Sequence, residues 1–323
     1  MNILVFGKDG QLGKAFQSVF AAQKLGELHR IHYVGRAQCD LSNADAITNL
    51  LRETKPNLII NAAAYTAVDH AEQEIDLAYL VNANAPAIMA QYAVKEGATL
   101  LHYSTDYVFD GTKTTPYFES DARNPLGIYG KSKAAGEVAI EDAFGSNRNP
   151  QAQFAILRTS WVYGDGGNFI RTILRLAKER ESLKVIANQY GVPTNTTWLA
   201  HISLAFVLNE NHQTRSLPSG VYHAIPPGET TWHALASYAV QLAIDAGADL
   251  KLRPEQIAAI PASAYPLPAP RPMNSRMARK ALDEALNQFL RNTSDVTKLQ
   301  QWQEPWQEQV AHYVQDLVRH KHL

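Results

Sequence analysis

Cysteine is nearly absent from this sequence, since Cys39 is the single one among 323 residues. A lone cysteine makes no internal disulfide, which fits a reducing compartment and leads us to expect a cytoplasmic protein. It also excludes a zinc site built from several cysteines. The sequence lacks a signal-peptide pattern and an apolar run of membrane-spanning length, so we expect no association with a membrane.

An excess of charge of one sign is lacking as well. Thirty Lys and Arg residues stand against 31 Asp and Glu residues, for a formal net charge of -1. This balance provides no broad electrostatic attraction to nucleic acid or to an anionic surface. The expected partners are therefore small molecules. A hydrophobic content of 46% allows a large core, in one domain or in two unequal ones.

Short apolar runs alternate with amphipathic stretches through the first half of the chain. The runs "NILVFG", "IHYVG", "NLIINAAA", "TLLHYSTDYVF" and "FAILRTSWVYG" predict strands, with helices near 11–25, 43–54, 74–96 and 129–143. This rhythm predicts an α/β fold with a Rossmann-like, doubly wound parallel sheet. We expect a dinucleotide-binding domain over 1–163, a return of the chain to it near 195–225, and a smaller mixed α/β lobe, mostly substrate-binding, over 164–323.

The glycine-rich stretch "GKDGQLG" follows the first predicted strand, and we call it the phosphate loop. Gly7 suits a sharp turn, Gly10 allows the backbone to approach a pyrophosphate, and Gly13 allows the next helix to pack closely on the strand. That helix begins near Gln11 and offers free N–H groups to phosphate oxygens. The loop therefore predicts a dinucleotide cofactor, with Gln11 and Leu12 among its contacts.

The end of the second predicted strand should decide between NADPH and NADH. Here Gly35 is followed by Arg36, a cation that can pair with a 2′-phosphate, which favours NADPH and leaves NADH possible. The alternative is a solvated loop arginine. Asp40, which precedes Leu41, either caps the helix that starts near Asn43 or accepts a hydrogen bond from the adenine amino group.

Small residues end the third predicted strand, "NLIINAAA". They leave room for a cofactor to lie against the strand end, which larger side chains would block. The cofactor contacts expected along this strand end and the next loop are Ala62, Ala63, Ala64, Tyr65 and Thr66.

A tyrosine and a lysine share one helical face in "IYGKSKAAGE", because Tyr129 and Lys133 are four residues apart. An exposed pair without function is the alternative. Thr105 and Asp106, which end "HYSTDYVF" after Ser104, and Trp161 in "RTSWVYG" should meet them at the same sheet edge. We expect the ammonium to lower the phenol pKa, Tyr129 to act as general acid and Thr105 to hold the reacting oxygen.

The motifs "GKDGQLG", "STDYVF" and "YGKSK" resemble the extended short-chain dehydrogenase/reductase family. Within it, the chain is similar to the dTDP-4-dehydrorhamnose reductases through "NAAAYTAVDHAE", "RTSWVYG", "LRLAKER" and "AYPLPAPRPMNSR". The resemblance implies reduction of the C4 ketone of dTDP-4-dehydro-L-rhamnose by NADPH or NADH. This reaction is the last step of dTDP-L-rhamnose synthesis.

The resemblance also implies roles for individual residues. It makes Tyr129 the proton donor, Lys133 its partner and Thr105 the hydroxyl that binds the carbonyl. Tyr103 would lie near the cofactor, which Tyr129 and Lys133 also contact. The substrate contacts expected beside Thr105 are Asp106, Trp161, Val68 and Asn168.

The substrate's diphosphate requires cationic or N–H partners. "APRPMNSR" offers Arg271 and Arg276, and we predict Arg271 for this role because Pro270 and Pro272 restrict its backbone. The alternative is a rigid connector with solvated arginines.

Two positions differ from related sequences. Tyr107 follows Asp106 where nucleotide-sugar 4,6-dehydratases carry a glutamate, so an elimination base is missing. Some reductases bridge subunits through magnesium held by glutamates, but this chain has Ala15 and Thr196–Thr197 at those places. We therefore predict no metal site and a monomer or homodimer. His320 and His322 are interpreted as a solvated tail.

Two other functions remain open from the sequence. One is reduction of a related nucleotide keto-sugar, for example to a 6-deoxy-L-talose product. The other is a non-catalytic, NADP-binding regulatory subunit that resembles the beta chain of methionine adenosyltransferase. The joint presence of Thr105, Tyr129 and Lys133 favours an enzyme.

Overall fold

The computed structural model describes residues 1–146, 149–290 and 302–320. Its strands are β1 (Asn2–Phe6), β2 (Arg30–Val34), β3 (Leu58–Asn61), β4 (Thr99–Thr105), β5 (Gln153–Thr159), β6 (Val162–Tyr163), β7 (Leu183–Ile186), β8 (Tyr190–Gly191), β9 (Thr194–Asn195), β10 (Gly220–His223), β11 (Thr230–Thr231) and β12 (Ile257–Ile260). Its helices are α1 (Gln11–Ala22), α2 (Leu25–Leu28), α3 (Ala44–Thr54), α4 (Val68–Ala71), α5 (Ile75–Tyr79), α6 (Ala85–Glu96), α7 (Ile128–Gly145), α8 (Phe169–Glu179), α9 (Thr196–Val207), α10 (Trp232–Asp245), α11 (Lys280–Leu290) and α12 (Trp306–Arg319).

Six strands form one parallel sheet in the order β2-β1-β3-β4-β5-β10. Between β1 and β3 the winding reverses direction, and ligands of such sheets bind beyond the carboxyl ends of the strands at that point. The sheet confirms the predicted fold class. β10 lies within the segment 195–225 for which a return of the chain was expected, while the domain boundaries themselves stay a prediction.

Helices cover both faces of the sheet, which explains why its strands are almost continuously apolar. On one face, α1, α9 and α11 contribute Phe16, Leu199 and Leu282, each fully buried. On the other face, α3 and α6 bury Ile47 and Met89 against the strands. Full burial of each such side chain contributes about 1.5–3 kcal/mol, so this core fixes the strand ends that carry the site.

A second core lies beside the sheet and is built from α8, α10 and α12. Its members include Leu174, Val240 and Val310, all fully buried. α8 presents its apolar residues at helical spacing, so that one face packs inward while its charged residues face solvent. The parallel pair β7–β12 flanks α10.

None of the helices within residues 1–146, 149–290 and 302–320 combines the length and apolarity needed to cross a membrane. In the same part of the chain, no three His, Cys, Asp or Glu side chains form a group that could hold a metal ion. His322, interpreted above as part of a solvated tail, lies outside the described residues. So do 291–301 of the predicted second lobe.

Candidate active site

A cavity of about 630 Å³ opens at the carboxyl ends of the central strands, and this volume suits a small-molecule ligand. Most of the predicted site residues line it: Gly7, Gly10, Gln11, Leu12, Arg36, Asp40, Leu41, Ala62, Ala63, Ala64, Tyr65, Thr66, Val68, Tyr103, Thr105, Asp106, Tyr129, Lys133 and Trp161. Gly13, Asn168 and Arg271 do not. The roles of the lining residues stay predictions, because a place in the cavity wall does not show what a residue binds.

The phosphate loop forms a tight cradle at one end of this cavity. Gly7 has φ +84°, a left-handed conformation, and a Cβ there would lie 2.8 Å from the carbonyl of Ala62. A Cβ at Gly13 would lie 2.0 Å from the carbonyl oxygen of Gly7. α1 then starts at Gln11 without a side-chain cap on its first N–H groups. Free N–H groups and a backbone that only glycine permits fit the pyrophosphate of a dinucleotide.

Charged side chains surround the cavity where β2 ends. Arg36 Nε lies 3.3 Å from Asp40 Oδ2, and Arg36 is largely exposed. Asp40 Oδ1 accepts hydrogen bonds from the backbone and hydroxyl of Ser42, which lower the Asp40 pKa. The cap of α3 is Asn43, whose side chain accepts from Ala46 N. Of the two roles predicted for Asp40, helix capping is thus wrong.

The proposed reacting groups lie together at the end of β4. Thr105 Oγ1 donates to Asp106 Oδ1 at 3.0 Å, and the Tyr129 ring packs edge-on against Tyr107. Burial raises the pKa of Tyr129 to about 12, a hydrogen bond with Thr105 opposes this rise, and the charge of Asp106 adds to it. The shift is opposite to the expected lowering. It keeps the phenol protonated at neutral pH.

Lys133 is buried beneath this group. Its Nζ donates to the backbone oxygen of Tyr103 at 2.5 Å and lies 3.3 Å from His102 Nε2. Burial lowers the pKa of Lys133 to about 8, while the charge of Glu137 opposes the shift. Within the described residues the ammonium is therefore held by a strand carbonyl and not by the phenol, which explains why it does not lower the Tyr129 pKa.

His102 continues the chain of contacts behind Lys133. Its Nδ1 lies 3.0 Å from Asn61 Nδ2, and both side chains are almost fully buried. Burial, followed by the charge of Lys133, lowers the His102 pKa well below its usual value, so this imidazole is neutral. Lys133 Nζ therefore lies beside an uncharged imidazole, which is also in contact with Asn61.

Trp161 lines the cavity and packs against the second core. Its φ of +47° is in the left-handed region, which is uncommon for a bulky residue and costs conformational energy. The indole stacks on Trp232 at 3.6 Å between ring centroids. A Cβ at Gly191 would lie 2.6 Å from the Trp161 ring. Close packing on Trp232 and Gly191 therefore fixes the orientation of this aromatic wall.

Two predicted substrate contacts have other partners in the structure. Asn168 caps α8, since its Oδ1 accepts from Arg171 N, and its Nδ2 donates to the Gly164 and Gly166 carbonyl oxygens. Arg271 donates from both terminal nitrogens to Asp69, at 2.7 and 2.8 Å. Neither Asn168 nor Arg271 lines the cavity, although Arg271 contacts Tyr107, which does.

Comparison with known proteins agrees with this geometry. The family model described as the RmlD substrate binding domain matches residues 1–318. The chain belongs to this family. It is 44% identical over 282 residues to a dTDP-4-dehydrorhamnose reductase of Salmonella typhimurium, and the match covers 86% of this chain and 89% of the relative. The predicted resemblance to these reductases is confirmed.

Solved structures lead to the same RmlD family. A dTDP-4-dehydrorhamnose reductase from Clostridium acetobutylicum superposes with a TM-score of 0.81 at 32% identity, over 99% of this chain and 100% of the other. The enzyme from Bacillus anthracis, solved in complex with NADP, gives a TM-score of 0.72 at 30% identity, over 90% of this chain and 99% of the other. The chain is accordingly an NAD(P)H-dependent oxidoreductase. A monomer or homodimer stays a prediction.

Sequence reasoning missed several cavity-lining residues of this RmlD-family site. Asp9, Tyr107 and Trp232 line the cavity, and His102 supports it from below. For Tyr107 the sequence indicates only that the glutamate of the 4,6-dehydratases is missing. Trp232 begins α10 and packs against the second core, and no local pattern connects it with Trp161, 71 positions earlier in the chain. For Asp9, its position within the phosphate loop is the one feature of the sequence that indicates a place in the site.

The buried Asp106 carboxyl predicts a pH effect on stability. Burial raises its pKa to about 6 from the usual 3.8, and hydrogen bonds with the Ser275 and Thr105 hydroxyls oppose this rise only in part. Because the folded-state pKa is the higher one, ionisation of Asp106 costs stability as the pH rises through this window, by about 3 kcal/mol above it. Asp106→Asn should not show this loss of stability, because an amide does not ionise. Its oxygen can still accept the hydrogen bond from Thr105.

Urea unfolding at about pH 4 and about pH 7.5 measures this effect. The stability of the Asp106→Asn variant relative to the unmodified protein should rise between the two pH values. An equal difference at both would mean that the carboxyl titrates normally.

Proposed function

We propose that this protein reduces the C4 ketone of dTDP-4-dehydro-L-rhamnose to give dTDP-L-rhamnose, with NADPH or NADH as reductant. The observation that carries this proposal is that Tyr129 and Thr105 line one cavity at the carboxyl end of β4. The pair lines the same cavity as the phosphate loop. The proposed substrate is the one in the names of the related reductases.

A nicotinamide cofactor fits the residues present. The phosphate loop would hold the pyrophosphate, Arg36 a 2′-phosphate, and Ala62 to Thr66 the stretch beside β3. Ala63 and Ala64 leave space for the cofactor there, because neither side chain extends beyond Cβ. When bound, the nicotinamide supplies a hydride to the ketone carbon.

Tyr129 would provide the proton in this reaction. With a pKa raised to about 12, its phenol is protonated at neutral pH and can give a proton to the alkoxide that forms on the ketone oxygen. The Thr105 hydroxyl can rotate from Asp106 to donate to the same oxygen. Lys133, held by the backbone oxygen of Tyr103, would contact the nicotinamide ribose of the bound cofactor.

The sugar would lie between the end of β4 and the second lobe. Asp106 can accept hydrogen bonds from sugar hydroxyls through Oδ2, and Trp161 offers an apolar face held by Trp232. Val68 lines the same region. This arrangement leaves the ketone facing Tyr129 and Thr105.

The test is turnover with the keto-sugar supplied in situ by the upstream enzymes from dTDP-glucose. We expect oxidation of NADPH that depends on both the keto-sugar and this protein. A preparation that binds NADPH yet oxidises none of it with this substrate would instead support a regulatory subunit.

Arg271 is proposed to contact the diphosphate of the substrate. It contacts Tyr107, which lines the cavity, and two hydrogen bonds to Asp69 hold its guanidinium in place. Charged hydrogen bonds contribute roughly 1.5–3 kcal/mol, so Arg271→Ala should weaken dTDP-rhamnose binding about tenfold to a hundredfold. Cofactor affinity should not change.

Asp69→Asn is the matched comparison, because it removes the competing carboxylate and keeps the arginine. We expect dTDP-rhamnose to bind this variant at least as tightly as the unmodified protein in a calorimetric titration. Equal weakening in both variants would assign the Arg271–Asp69 pair to folding alone.

A further inference from the structure

The end of β2 lacks a side chain where dinucleotide-binding proteins often place a carboxylate. In such sites that residue accepts hydrogen bonds from the ribose hydroxyls of adenosine. Here the position is Gly35, whose N–H is bound by Gln38 Oε1 at 3.0 Å. The turn that follows therefore has a fixed backbone and no acidic group of its own at this point.

A carboxylate from another part of the chain occupies this space. A Cβ at Gly35 would lie 2.0 Å from Oδ2 of Asp9, so the Asp9 carboxylate stands where a side chain of residue 35 would begin. Asp9 belongs to the phosphate loop and lines the same cavity as Gly35 and Arg36. Its Oδ1 accepts a hydrogen bond from Lys8 Nζ at 2.7 Å, and its Oδ2 is the oxygen nearest Gly35.

Asp40 is the other carboxylate at this end of the cavity, and its oxygens already have partners. Oδ1 accepts two hydrogen bonds from Ser42, and Oδ2 accepts from Arg36. These bonds make Asp40 part of the turn that follows β2. Asp9 is thus the better-placed acceptor for ribose hydroxyls.

Two opposite charges therefore lie at the end of β2, where a bound dinucleotide would place its adenosine ribose. Arg36 on one side attracts a 2′-phosphate, whereas a carboxylate on the other side repels it and accepts from a 2′-hydroxyl. We propose that Asp9 is a cofactor-specificity residue, which supports NADH binding and opposes the NADPH preference that Arg36 confers. This inference rests on the proposed function for its nicotinamide cofactor.

Dissociation constants for NADH and NADPH, from titrations of cofactor fluorescence without substrate, test the proposal. Asp9→Asn removes the charge and keeps the size of the side chain, and it also frees Lys8 for a phosphate. We expect NADPH to bind more tightly and NADH more weakly, so that the ratio of the two constants moves towards NADPH by about tenfold. Arg36→Ala should move the ratio the other way.

Asp165→Asn is the control. Asp165 has the same side-chain exposure as Asp9, 70%, and also pairs with a lysine, Lys14, but it does not line the cavity. This variant should leave the ratio within about twofold, because salt screens an exposed charge that lies outside the cavity. If Asp9→Asn behaves like Asp165→Asn, the specificity role is overturned while the reductase proposal stands. If the unmodified protein binds neither cofactor, both are overturned.

Discussion

Replacing Tyr129 with phenylalanine is expected to lower kcat for ketone reduction by about 10²- to 10⁴-fold, the usual contribution of a general acid. The variant keeps the aromatic ring against Tyr107 and loses only the proton donor. Lys133 stays bound to the Tyr103 carbonyl, which does not involve the phenol. The dissociation constant for NADPH should therefore change little.

Tyr107→Phe is the matched control for this experiment. Its ring lies 5.5 Å from that of Tyr129 and lines the same cavity, so both variants remove one hydroxyl from the same region. Only the Tyr129 variant should lose most of its single-turnover rate. A drop of less than about tenfold at Tyr129 would mean that another group delivers the proton.

Replacing Glu137 with alanine is expected to destabilise the fold by about 3–5 kcal/mol, because it leaves the buried Arg158 without its counter-charge. Both side chains are essentially inaccessible, and two hydrogen bonds of 2.9 and 2.7 Å join them. Arg123 Nε also donates to Glu137. The pair ties α7, which carries Tyr129 and Lys133, to β5. The melting temperature should fall by about 4–7 °C.

Glu141→Ala provides the comparison one helical turn later. Glu141 bonds the other end of Arg123 at 2.6 Å but is partly exposed, so its loss should cost about 1 kcal/mol or less. Thermal unfolding of both variants at neutral pH measures the difference. Equal shifts would show that the Glu137–Arg158 pair adds no more than a surface ion pair.

Features encoded by short spacings could be predicted from the sequence. The phosphate loop needs three glycines within seven residues, and the Tyr129–Lys133 pair needs one helical turn, so each is visible locally. α7 begins at Ile128 and α3 at Ala44, close to the predicted starts. The parallel sheet followed from the alternation of strands and helices.

Features that depend on distant contacts could not be predicted. Asp69 and Arg271 are 202 residues apart in the sequence. The ion pair between them gives Arg271 a partner within the protein that the sequence does not indicate. Glu137 has no local signal of burial, because an acidic helix residue is usually solvated. The raised pKa of Tyr129 depends on burial, which spacing does not report. The carboxylate at Gly35 likewise comes from another loop.

The most direct test of the proposed reaction is the fate of a labelled hydride. NADPH with deuterium transferred from its nicotinamide ring would be supplied with dTDP-4-dehydro-L-rhamnose and this protein, and the product analysed by NMR. The account predicts dTDP-L-rhamnose with deuterium at sugar C4. Deuterium at another carbon, or a 6-deoxy-L-talose product, would contradict it.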